Sequence, residues 1–378
     1  MNPPRTKILH CLGSLNPGGV ETWLLSMLRH LDTREFQFDF CTLGMEAGCY
    51  AAEVERMGSA VHRCPRYPSS RLGRRFRQIL RQGDYDVVHS HVHFFSGALL
   101  RWAALEDVPT RIAHSHTSQD DQASSITRSV YRRLMREWID RYATRGLAVS
   151  RECAAALFTA RWDADARIRL TYPGIDTDAF RAAIQKNLKI GVPEDVPVIG
   201  HVGNFIAAKN HAFLLKIAEQ VLQLRPDIHF LLVGDGPLHG EIEKQARELN
   251  IAANIHFLGM RHDVPLLLQR FDAFLFPSGW EGLPCAVLEA QAAGLPCVIS
   301  QEISEEVVVF PHQVLRLPLS KDARYWAART IEALNRGKRD TRESLRAFQK
   351  TNFSIERSLS SLLTIYGSNR VRARAAAN

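Results

Sequence analysis

Short apolar runs alternate with amphipathic stretches along the first half of the chain. Hydrophobic positions at helical spacing predict helices at 20–30, 50–57 and 129–143, and short apolar runs predict strands at 7–12, 38–43, 87–90, 111–113 and 146–149. Regular alternation of strand and helix is typical of parallel βαβ units, in which helices cover a parallel sheet. The first half is therefore predicted to form an α/β domain.

The same alternation begins again after T-Y-P-G-I-D-T-D-A-F, residues 171–180. It predicts strands at 198–202, 229–233, 255–258, 273–276 and 297–300, and helices at 210–224, 238–249, 263–270 and 285–293. We therefore predict two doubly wound Rossmann-like domains, 1–180 and 181–353, with a last amphipathic helix at 354–370 that crosses back onto the first domain. Ligands of open α/β sheets bind beyond the carboxyl ends of the strands, so both domains are expected to offer loops to one cleft.

Composition and charge exclude several classes of protein. No apolar stretch reaches the roughly 18 residues of a membrane-spanning helix, and the N-terminus lacks the apolar core of a signal peptide. The seven cysteines are odd in number and scattered, which favours a cytoplasmic protein. The net charge of +8 is compatible with phosphate-bearing ligands or an anionic membrane surface, but no nucleic-acid-binding motif accompanies it.

Two loops that follow predicted strands have the composition of phosphate-binding turns. Gly18 and Gly19 precede a predicted helix, where glycine lets a ligand approach the backbone and free helical N–H groups attract an anion. In H-V-G-N-F-I-A-A-K-N-H, residues 201–211, Lys209 is a suitable counter-charge for a diphosphate. A plain turn and a surface lysine are the alternative interpretations. The G-D-G-P turn at 234–237 is interpreted mainly as scaffold.

The stretch S-G-W-E-G-L-P-C-A-V-L-E-A-Q-A-A-G, residues 278–294, carries two carboxylates. Glu281 is predicted in the loop after a strand, and Glu289 about 7–8 Å along the next helix at about 1.5 Å per residue. Between them, the first-turn N–H groups of Cys285 and Ala286 are predicted to be free for a phosphate. The stretch predicts one ligand held at three points. Taken singly, either glutamate is better interpreted as a solvated charge at a helix end.

These motifs resemble those of the retaining GT-B glycosyltransferases, specifically family 4 (group 1). The resemblance rests on the E-x7-E element Glu281/Glu289 within 277–296 and on G-N-F-x-x-x-K-N-H at 203–211. Shorter matches occur in the family's order, namely G-G-V-E-T, V-H-S-H, A-H-S-H-T and P-G-I-D. The lysine motif is similar to that of members that assemble polysaccharides. The resemblance covers nearly the whole chain and implies a GT-B fold, in which two Rossmann-like domains face each other across a cleft.

The resemblance also implies an activity and a set of site residues. A sugar would pass from a nucleotide-diphosphate donor, a UDP-sugar foremost, to a glycan or lipid-linked acceptor hydroxyl in cell-surface or exopolysaccharide synthesis. By analogy, His116 would contact the donor sugar, Glu281 its hydroxyls and Lys209 the diphosphate. The other donor-binding positions would be Gly18, Gly19, Asn204, Met260, Arg261, Gly282, Leu283, Cys285, Ala286 and Glu289.

Three of these positions have a more specific implied role. Glu289 would hold the ribose, and backbone groups near Met260 and Arg261 would hold the base. Many members of the family carry arginine at the position of Asn204, whose amide donates only neutral hydrogen bonds. Lys209 and the helix N-terminus would therefore bear more of the phosphate charge.

A cluster of histidines is predicted at two strand ends of the first half, and its members are His89, His91, His93, His114 and His116. A metal site is one interpretation, but alternate residues of a strand point the same way, which suits tetrahedral ligation poorly. The D-A-D at 163–165 and the D-T-D at 176–178 are predicted to lie away from the donor loops. We therefore predict no metal and no cofactor, with lysine and helix dipoles replacing a cation. His114 is expected to be a core histidine.

The acceptor side is predicted in the first half, where two segments, 66–77 and 127–145, are basic. The second segment sets four large apolar residues among arginines, namely Tyr131, Leu134, Met135 and Trp138. It is interpreted either as a surface for anionic lipid at the cytoplasmic face of a membrane or as an ordinary core-facing helix. Two rival functions stay open, a UDP-sugar 2-epimerase of the same fold and a non-catalytic nucleotide-sugar-binding protein.

Overall fold

A computed structural model describes residues 5–66, 69–119, 125–159, 161–184, 190–193 and 195–376, with side chains as far as residue 367. The chain forms two compact units. The N-terminal unit comprises Met1–Gly174 and Ile355–Asn378, and the C-terminal unit comprises Ile175–Ser354. Each unit is built on one parallel sheet with covering helices.

The N-terminal unit contains a parallel sheet of seven strands in the order β3-β2-β1-β4-β5-β6-β7. The strands are β1 (Thr6–Leu12), β2 (Phe36–Leu43), β3 (Val61–Cys64), β4 (Val87–Ser90), β5 (Thr110–Ser115), β6 (Arg145–Ala148) and β7 (Ile168–Leu170). The helices before the second unit are α1 (Gly19–Arg29), α2 (Ala51–Arg56), α3 (Leu72–Gly83), α4 (Ser96–Leu105), α5 (Ile126–Tyr142) and α6 (Arg151–Leu157).

The C-terminal unit contains a parallel sheet of six strands in the order β10-β9-β8-β11-β12-β13. The strands are β8 (Val198–Val202), β9 (His229–Val233), β10 (Ile255–Phe257), β11 (Ala273–Phe276), β12 (Cys297–Ser300) and β13 (Val314–Leu317). The helices are α7 (Thr177–Ala183), α8 (His211–Leu224), α9 (His239–Glu248), α10 (Val264–Arg270), α11 (Cys285–Ala292), α12 (Ala323–Arg336) and α13 (Thr341–Phe348).

The last helix, α14 (Ile355–Ala376), belongs to the N-terminal unit although it follows the C-terminal unit in the chain. Its apolar positions join the core formed around α1 and β1, and they are Ile355, Leu359, Leu362, Ile365 and Tyr366. The Trp23 indole N–H donates to Ser358 Oγ at 3.1 Å, which adds a buried polar contact between α1 and α14. Burial of this apolar face stabilises the helix in that place.

All ten predicted strands are present, and the prediction of two doubly wound sheets is confirmed. The sequence analysis missed β3, β7 and β13, which lie at or near sheet edges and have only three or four residues each. It also missed six helices, namely α3, α4, α6, α7, α12 and α13. In α4 most positions are buried, so no polar face marks the helical period.

Helix α5 turns a different face outward from the one that the sequence suggested. Met135 is 5% exposed and packs inward, and the neighbouring helix α4 approaches so closely that a Cβ at Gly97 would lie 2.5 Å from the Met135 carbonyl oxygen. The exposed apolar positions are Ile126, Val130 and Leu134. Among the helices that the structure describes, none is long and apolar enough to cross a membrane.

Candidate active site

The strand order of the C-terminal sheet brings two particular loops together. The chain runs from β8 outward to β10 and then returns to β11 on the other side of β8. In open α/β sheets, such a reversal leaves a crevice beyond the carboxyl ends of the two central strands. The loop after β8 carries Lys209, and the loop after β11 carries Glu281. Both predicted catalytic residues of this unit therefore lie at its switch point.

Lys209 and Glu281 form a partly buried ion pair. The Lys209 Nζ atom lies 2.5 Å from Glu281 Oε1, and the two side chains are 16% and 13% exposed. The ammonium also lies 4.9 Å from the centre of the Phe276 ring. Such a charge-assisted hydrogen bond is stronger than a solvent-exposed ion pair. A phosphate that binds Lys209 therefore has to compete with Glu281.

Backbone contacts hold these two loops against each other. The Gly279 N–H donates to the Ala208 carbonyl at 2.8 Å, and the Asn210 side-chain amide donates to the Pro277 carbonyl at 3.1 Å. Asn210 has a φ of 55°, a left-handed conformation that asparagine tolerates better than most residues. The relative position of Lys209 and the loop after β11 is thus fixed by main-chain geometry.

The turn after β9 acts as a spacer between two other loops. The Gly203 N–H donates to Val233, and the Gly234 N–H donates to the Gly259 carbonyl, each at 2.9 Å. Gly234 has a φ of +134°, and a Cβ there would lie 2.1 Å from the Gly203 carbonyl oxygen. Only glycine fits this close approach. The scaffold interpretation of this turn agrees with these contacts.

The residues predicted to hold the base occupy the loop after β10. Met260 is 39% exposed, and Gly259 before it has a φ of +62°. Arg261 forms a bidentate pair with Asp263, with N···O distances of 2.6 and 2.7 Å. Because that carboxylate balances the guanidinium charge, the backbone of this segment is the more suitable contact for an uncharged base.

A buried glutamine on helix α11 bonds the helix to the segment 307–310. The Gln291 side chain donates to the Val287 and Val307 carbonyls, and its oxygen accepts from the N–H groups of Val309 and Phe310. All of these distances lie between 2.8 and 3.1 Å. The amide is therefore fully satisfied in the core, and it fixes the orientation of the helix that carries Glu289.

Glu289 and Cys285 lie on α11, and both are poorly hydrated. Desolvation raises the pKa of Glu289 to about 7 and, together with the nearby Glu289 charge, raises the pKa of the Cys285 thiol to about 12. The Glu289 carboxyl has no hydrogen-bond donor among the residues that the structure describes. Hydroxyl donors from a ligand would stabilise its ionised form. Leu283 and Gly282, between the two glutamates, are buried.

In the N-terminal unit, the predicted glycine pair opens α1. Gly18 is the residue before the helix and Gly19 is its first residue. A Cβ at Gly18 would lie 2.4 Å from Glu21 Oε2, so the Glu21 carboxyl folds back over the helix start. Burial raises the pKa of Glu21 to about 7, and its own backbone N–H lowers it only in part. An anion approaching these N–H groups would meet a carboxyl of the chain itself.

Five histidines form a cluster on neighbouring strands of the N-terminal sheet. His10, His89 and His114 lie within β1, β4 and β5, and His91 and His116 directly follow β4 and β5. The Nδ1 of His10 lies 3.1 Å from His91 Nε2, and the Nδ1 of His91 lies 2.8 Å from His116 Nε2. A second row joins Tyr366, His89 and His114, with distances of 2.7 and 3.1 Å. Trp23 packs its ring against three members of the cluster.

These imidazoles are neutral at physiological pH. Desolvation lowers the pKa of His10 and of His116 to about 3, and it lowers the pKa of the other three well below the usual value. Two groups of three histidines in this cluster have ring nitrogens within 4.8 Å of one another, close enough to bind one metal ion. One group is His10, His89 and His91, and the other is His91, His114 and His116. His114 is fully buried, as the sequence suggested.

The chain has extensive similarity to known proteins. A family model described as "Glycosyl transferases group 1" matches residues 184–349, and one described as "Glycosyltransferase Family 4" matches residues 17–179. The putative glycosyltransferase EpsF of Bacillus subtilis is 33% identical over 375 residues, which is 97% of each chain. The chain is a family 4, group 1 glycosyltransferase. The fold and enzyme class predicted from the sequence are thereby confirmed.

Two further comparisons bear on this glycosyltransferase. The UDP-Gal:alpha-D-GlcNAc-diphosphoundecaprenol alpha-1,3-galactosyltransferase of Escherichia coli is 30% identical over 237 residues, or 59% of each chain. The crystal structure of Anabaena Alr3699/HepE in complex with UDP-glucose superposes with a TM-score of 0.77 at 19% identity, covering 96% of this chain and all of that one. The second similarity establishes the GT-B type of fold.

Sequence reasoning missed three functional candidates in this glycosyltransferase. His10 lies in an apolar strand and looks like one core residue among others, because no neighbouring histidine marks it in the sequence. Glu21 and Gln291 lie within quoted motifs, next to the glycine pair and after Glu289. Their spacing from recognised residues was the only available signal. The structure shows which groups each of these three side chains contacts, and the sequence does not.

Proposed function

We propose that this enzyme transfers a sugar, with retention of anomeric configuration, from a UDP-sugar to a hydroxyl of a lipid-linked glycan during assembly of a cell-surface polysaccharide. The observation that carries the proposal is the partly buried Lys209–Glu281 pair at the switch point of the C-terminal sheet. The E. coli relative is named for UDP-Gal and the Anabaena structure contains UDP-glucose, and both support the choice of donor.

Donor binding exchanges partners at this pair. The diphosphate binds the Lys209 ammonium in place of Glu281. The Glu281 carboxylate then accepts hydrogen bonds from the sugar hydroxyls. Glu289 accepts from the ribose diol, and the first-turn N–H groups of Cys285 and Ala286 face the phosphate. Backbone groups of Met260 and Arg261 hold the base, while Asn204, which is exposed, adds a neutral donor.

The chemistry of the proposed reaction is stabilisation of a departing diphosphate. The bond from the anomeric carbon to the phosphate oxygen breaks as the acceptor oxygen forms its new bond on the same face, and the acceptor proton passes to the leaving phosphate. The Lys209 charge and the α11 N-terminus stabilise the developing negative charge. His116 donates to the sugar during this step.

This proposal assigns no role to a bound metal. One carboxylate of each acidic motif is paired with an arginine: Asp165 with Arg167 at 2.7 Å, and Asp178 with Arg181 at 2.6 Å. Asp176 caps helix α7 by accepting from the Asp178 N–H. These carboxylates therefore have structural partners, and Lys209 is the cation that the donor meets.

The lipid-linked part of the acceptor is proposed from the surface of α5. Ile126, Val130 and Leu134 are 86%, 62% and 41% exposed at successive four-residue steps, so they share one face of the helix. Arg133 and Arg141 on the same helix are also exposed. Apolar side chains beside arginines fit the interface of an anionic membrane. We assign this contact to the cytoplasmic leaflet, and the acceptor named for the E. coli relative is in agreement.

Product analysis tests the transfer itself. The enzyme is incubated with each of several UDP-sugars, with and without a diphosphoundecaprenol-linked sugar, in the presence of EDTA. A glycosylated lipid with an α linkage, formed only when both substrates are present, is the expected result. An epimerised UDP-sugar from the donor alone would establish the rival epimerase activity, and donor binding without any product would overturn the proposed acceptor.

Vesicle flotation tests the membrane contact. The wild-type enzyme is expected to float with anionic vesicles at low salt, and Val130→Asp is expected to remain at the bottom of the gradient. The matched control is Leu224→Asp, because Leu224 is equally exposed, at 62%, but lies in the C-terminal unit. Equal flotation of both variants and the wild type would exclude α5 as the lipid contact.

A further inference from the structure

The histidine row that ends at His116 has a geometry that fixes ring protonation. His91 lies between His10 and His116, with one ring nitrogen 3.1 Å from the first and the other 2.8 Å from the second. A neutral imidazole carries one N–H and one lone pair. His91 must therefore donate to one neighbour and accept from the other, and the three rings share one direction of donation.

The direction follows from the buried end of the row. His10 Nε2 has no hydrogen-bond partner in the described part of the chain, and His10 is fully buried. If donation runs toward His10, this nitrogen carries an orphaned N–H; if donation runs toward His116, it carries only a lone pair. Orphaned buried N–H groups are rarer in proteins than under-satisfied acceptors. The favoured direction is from His10 through His91 to His116.

We propose that His91, backed by His10, is a positioning residue that holds His116 as its Nδ1–H tautomer. His91 Nδ1–H donates to His116 Nε2, so the only proton of the His116 ring is on Nδ1. His116 keeps part of its surface exposed, and Nδ1 has no partner within the described residues. This atom presents a neutral N–H donor to an oxygen of the substrate. The assigned tautomer does not depend on the proposed function; only the contact between Nδ1 and the substrate rests on it.

The same contacts argue against a metal in this cluster. Each facing pair of nitrogens in the row lies at hydrogen-bond distance, which indicates one proton between them rather than two lone pairs aimed at an ion. Metal-bound histidines usually donate their second N–H to a carboxylate, a carbonyl or water. None of the five rings bonds a carboxylate among the residues whose positions the structure gives.

Nuclear magnetic resonance of the full-length enzyme labelled with ¹⁵N in histidine reads the tautomer directly, because protonated and unprotonated ring nitrogens have well-separated shifts. His116→Gln identifies the signals. The expected result is one N–H on His116 Nδ1 in the absence of any substrate. A proton on Nε2 would overturn the proposal even if the enzyme proved to be an active transferase, and loss of the transferase function would leave the tautomer result standing.

Variants separate the two contacts of His91. Asparagine places an amide near the Nδ1 position, whereas glutamine places one near Nε2. His91→Asn is therefore expected to keep the His116 tautomer and most of the turnover, while His91→Leu should mix the tautomers and lower kcat about tenfold or more, with little change in the donor KM. Equal kcat for the leucine and asparagine variants would contradict the proposal.

A substitution at the far end of the row tests the same proposal without changing His91 or His116. His10→Leu leaves His91 and His116 in place but removes the buried end of the row, and it should also shift the His116 tautomer. Tyr366→Phe is the matched control, because Tyr366 bonds His89 in the second row. It should leave the His116 signals unchanged. Stoichiometric Zn²⁺ retained by the wild type after dialysis, with loss of the Nδ1 proton, would establish a metal site instead.

Discussion

The two units differ in the side chains that they place where the strand order of the sheet reverses: the C-terminal unit has an ion pair there, and the N-terminal unit has neutral histidines. In each sheet the strand order reverses beside the first strand, between β1 and β4 in one unit and between β8 and β11 in the other. The C-terminal reversal carries a charged lysine and a glutamate in contact. The N-terminal reversal carries His10 and His91, whose rings are neutral because burial lowers their pKa.

This difference arises because the two units offer different partners to a buried charge. Lys209 and Glu281 form an ion pair in which the two opposite charges stabilise each other. Among the described residues, these histidines hydrogen-bond only to one another and to Tyr366. Burial lowers their pKa values, and repulsion between neighbouring imidazoliums adds to this for most of them, so the rings are neutral. A charged pair suits a diphosphate and its sugar, whereas neutral N–H donors suit oxygens that carry little charge.

Removal of the charged pair is expected to have the largest effect. Lys209→Met takes away the cation for the diphosphate, so transfer should fall by about 100-fold. Glu281→Gln should lower transfer by at least about tenfold, because a neutral amide accepts more weakly from the sugar hydroxyls. Initial rates at saturating acceptor measure both. Lys216→Met is the control, since Lys216 is an exposed lysine on α8, the helix that follows the same loop. Unchanged turnover in both site variants would refute the donor assignment.

Removal of the neutral donor should affect turnover and spare nucleotide binding. His116→Ala is expected to lower kcat about tenfold or more and to leave the affinity for UDP unchanged, because the proposed nucleotide contacts all lie in the C-terminal unit. Calorimetry with UDP and initial rates measure the two effects. His312→Ala is the control, because His312 is exposed in the other unit. A matching loss of UDP affinity would show that the division between the units is wrong.

The smallest effect is a pH dependence at Glu289. Its pKa is raised to about 7 in the free protein, and ribose hydroxyls favour the ionised form. The ionised fraction grows as pH rises through 7, so the Kd for UDP should fall about tenfold between pH 6 and pH 8. Calorimetry across this range measures it. In Glu289→Gln the component that Glu289 contributes is absent, and an undiminished slope in that variant would assign the dependence to another group.

Particular residues show how far sequence reasoning reached. Glu281 and Glu289 were recognisable because their spacing, the intervening proline and the terminal glycine are all local. Lys209 and Glu281 are 72 residues apart, and their contact at 2.5 Å was not predicted. His10 was missed for the same reason, since β1 pairs with β4 so that His10 lies opposite His89. The α5 surface was predicted in part, because helical spacing defines faces without saying which face is covered.

The sequence by itself determined the repeating strand and helix pattern, the two sheets and the loops that hold the candidate residues. These properties depend on periodicity and on turn residues, which act over a few positions of the chain. The tertiary structure decided the order of the strands, and with it which loops meet. It also decided which groups carry charge, since a pKa depends on burial and on neighbours brought from distant parts of the chain. The ion pair and the histidine rows are products of that non-local step.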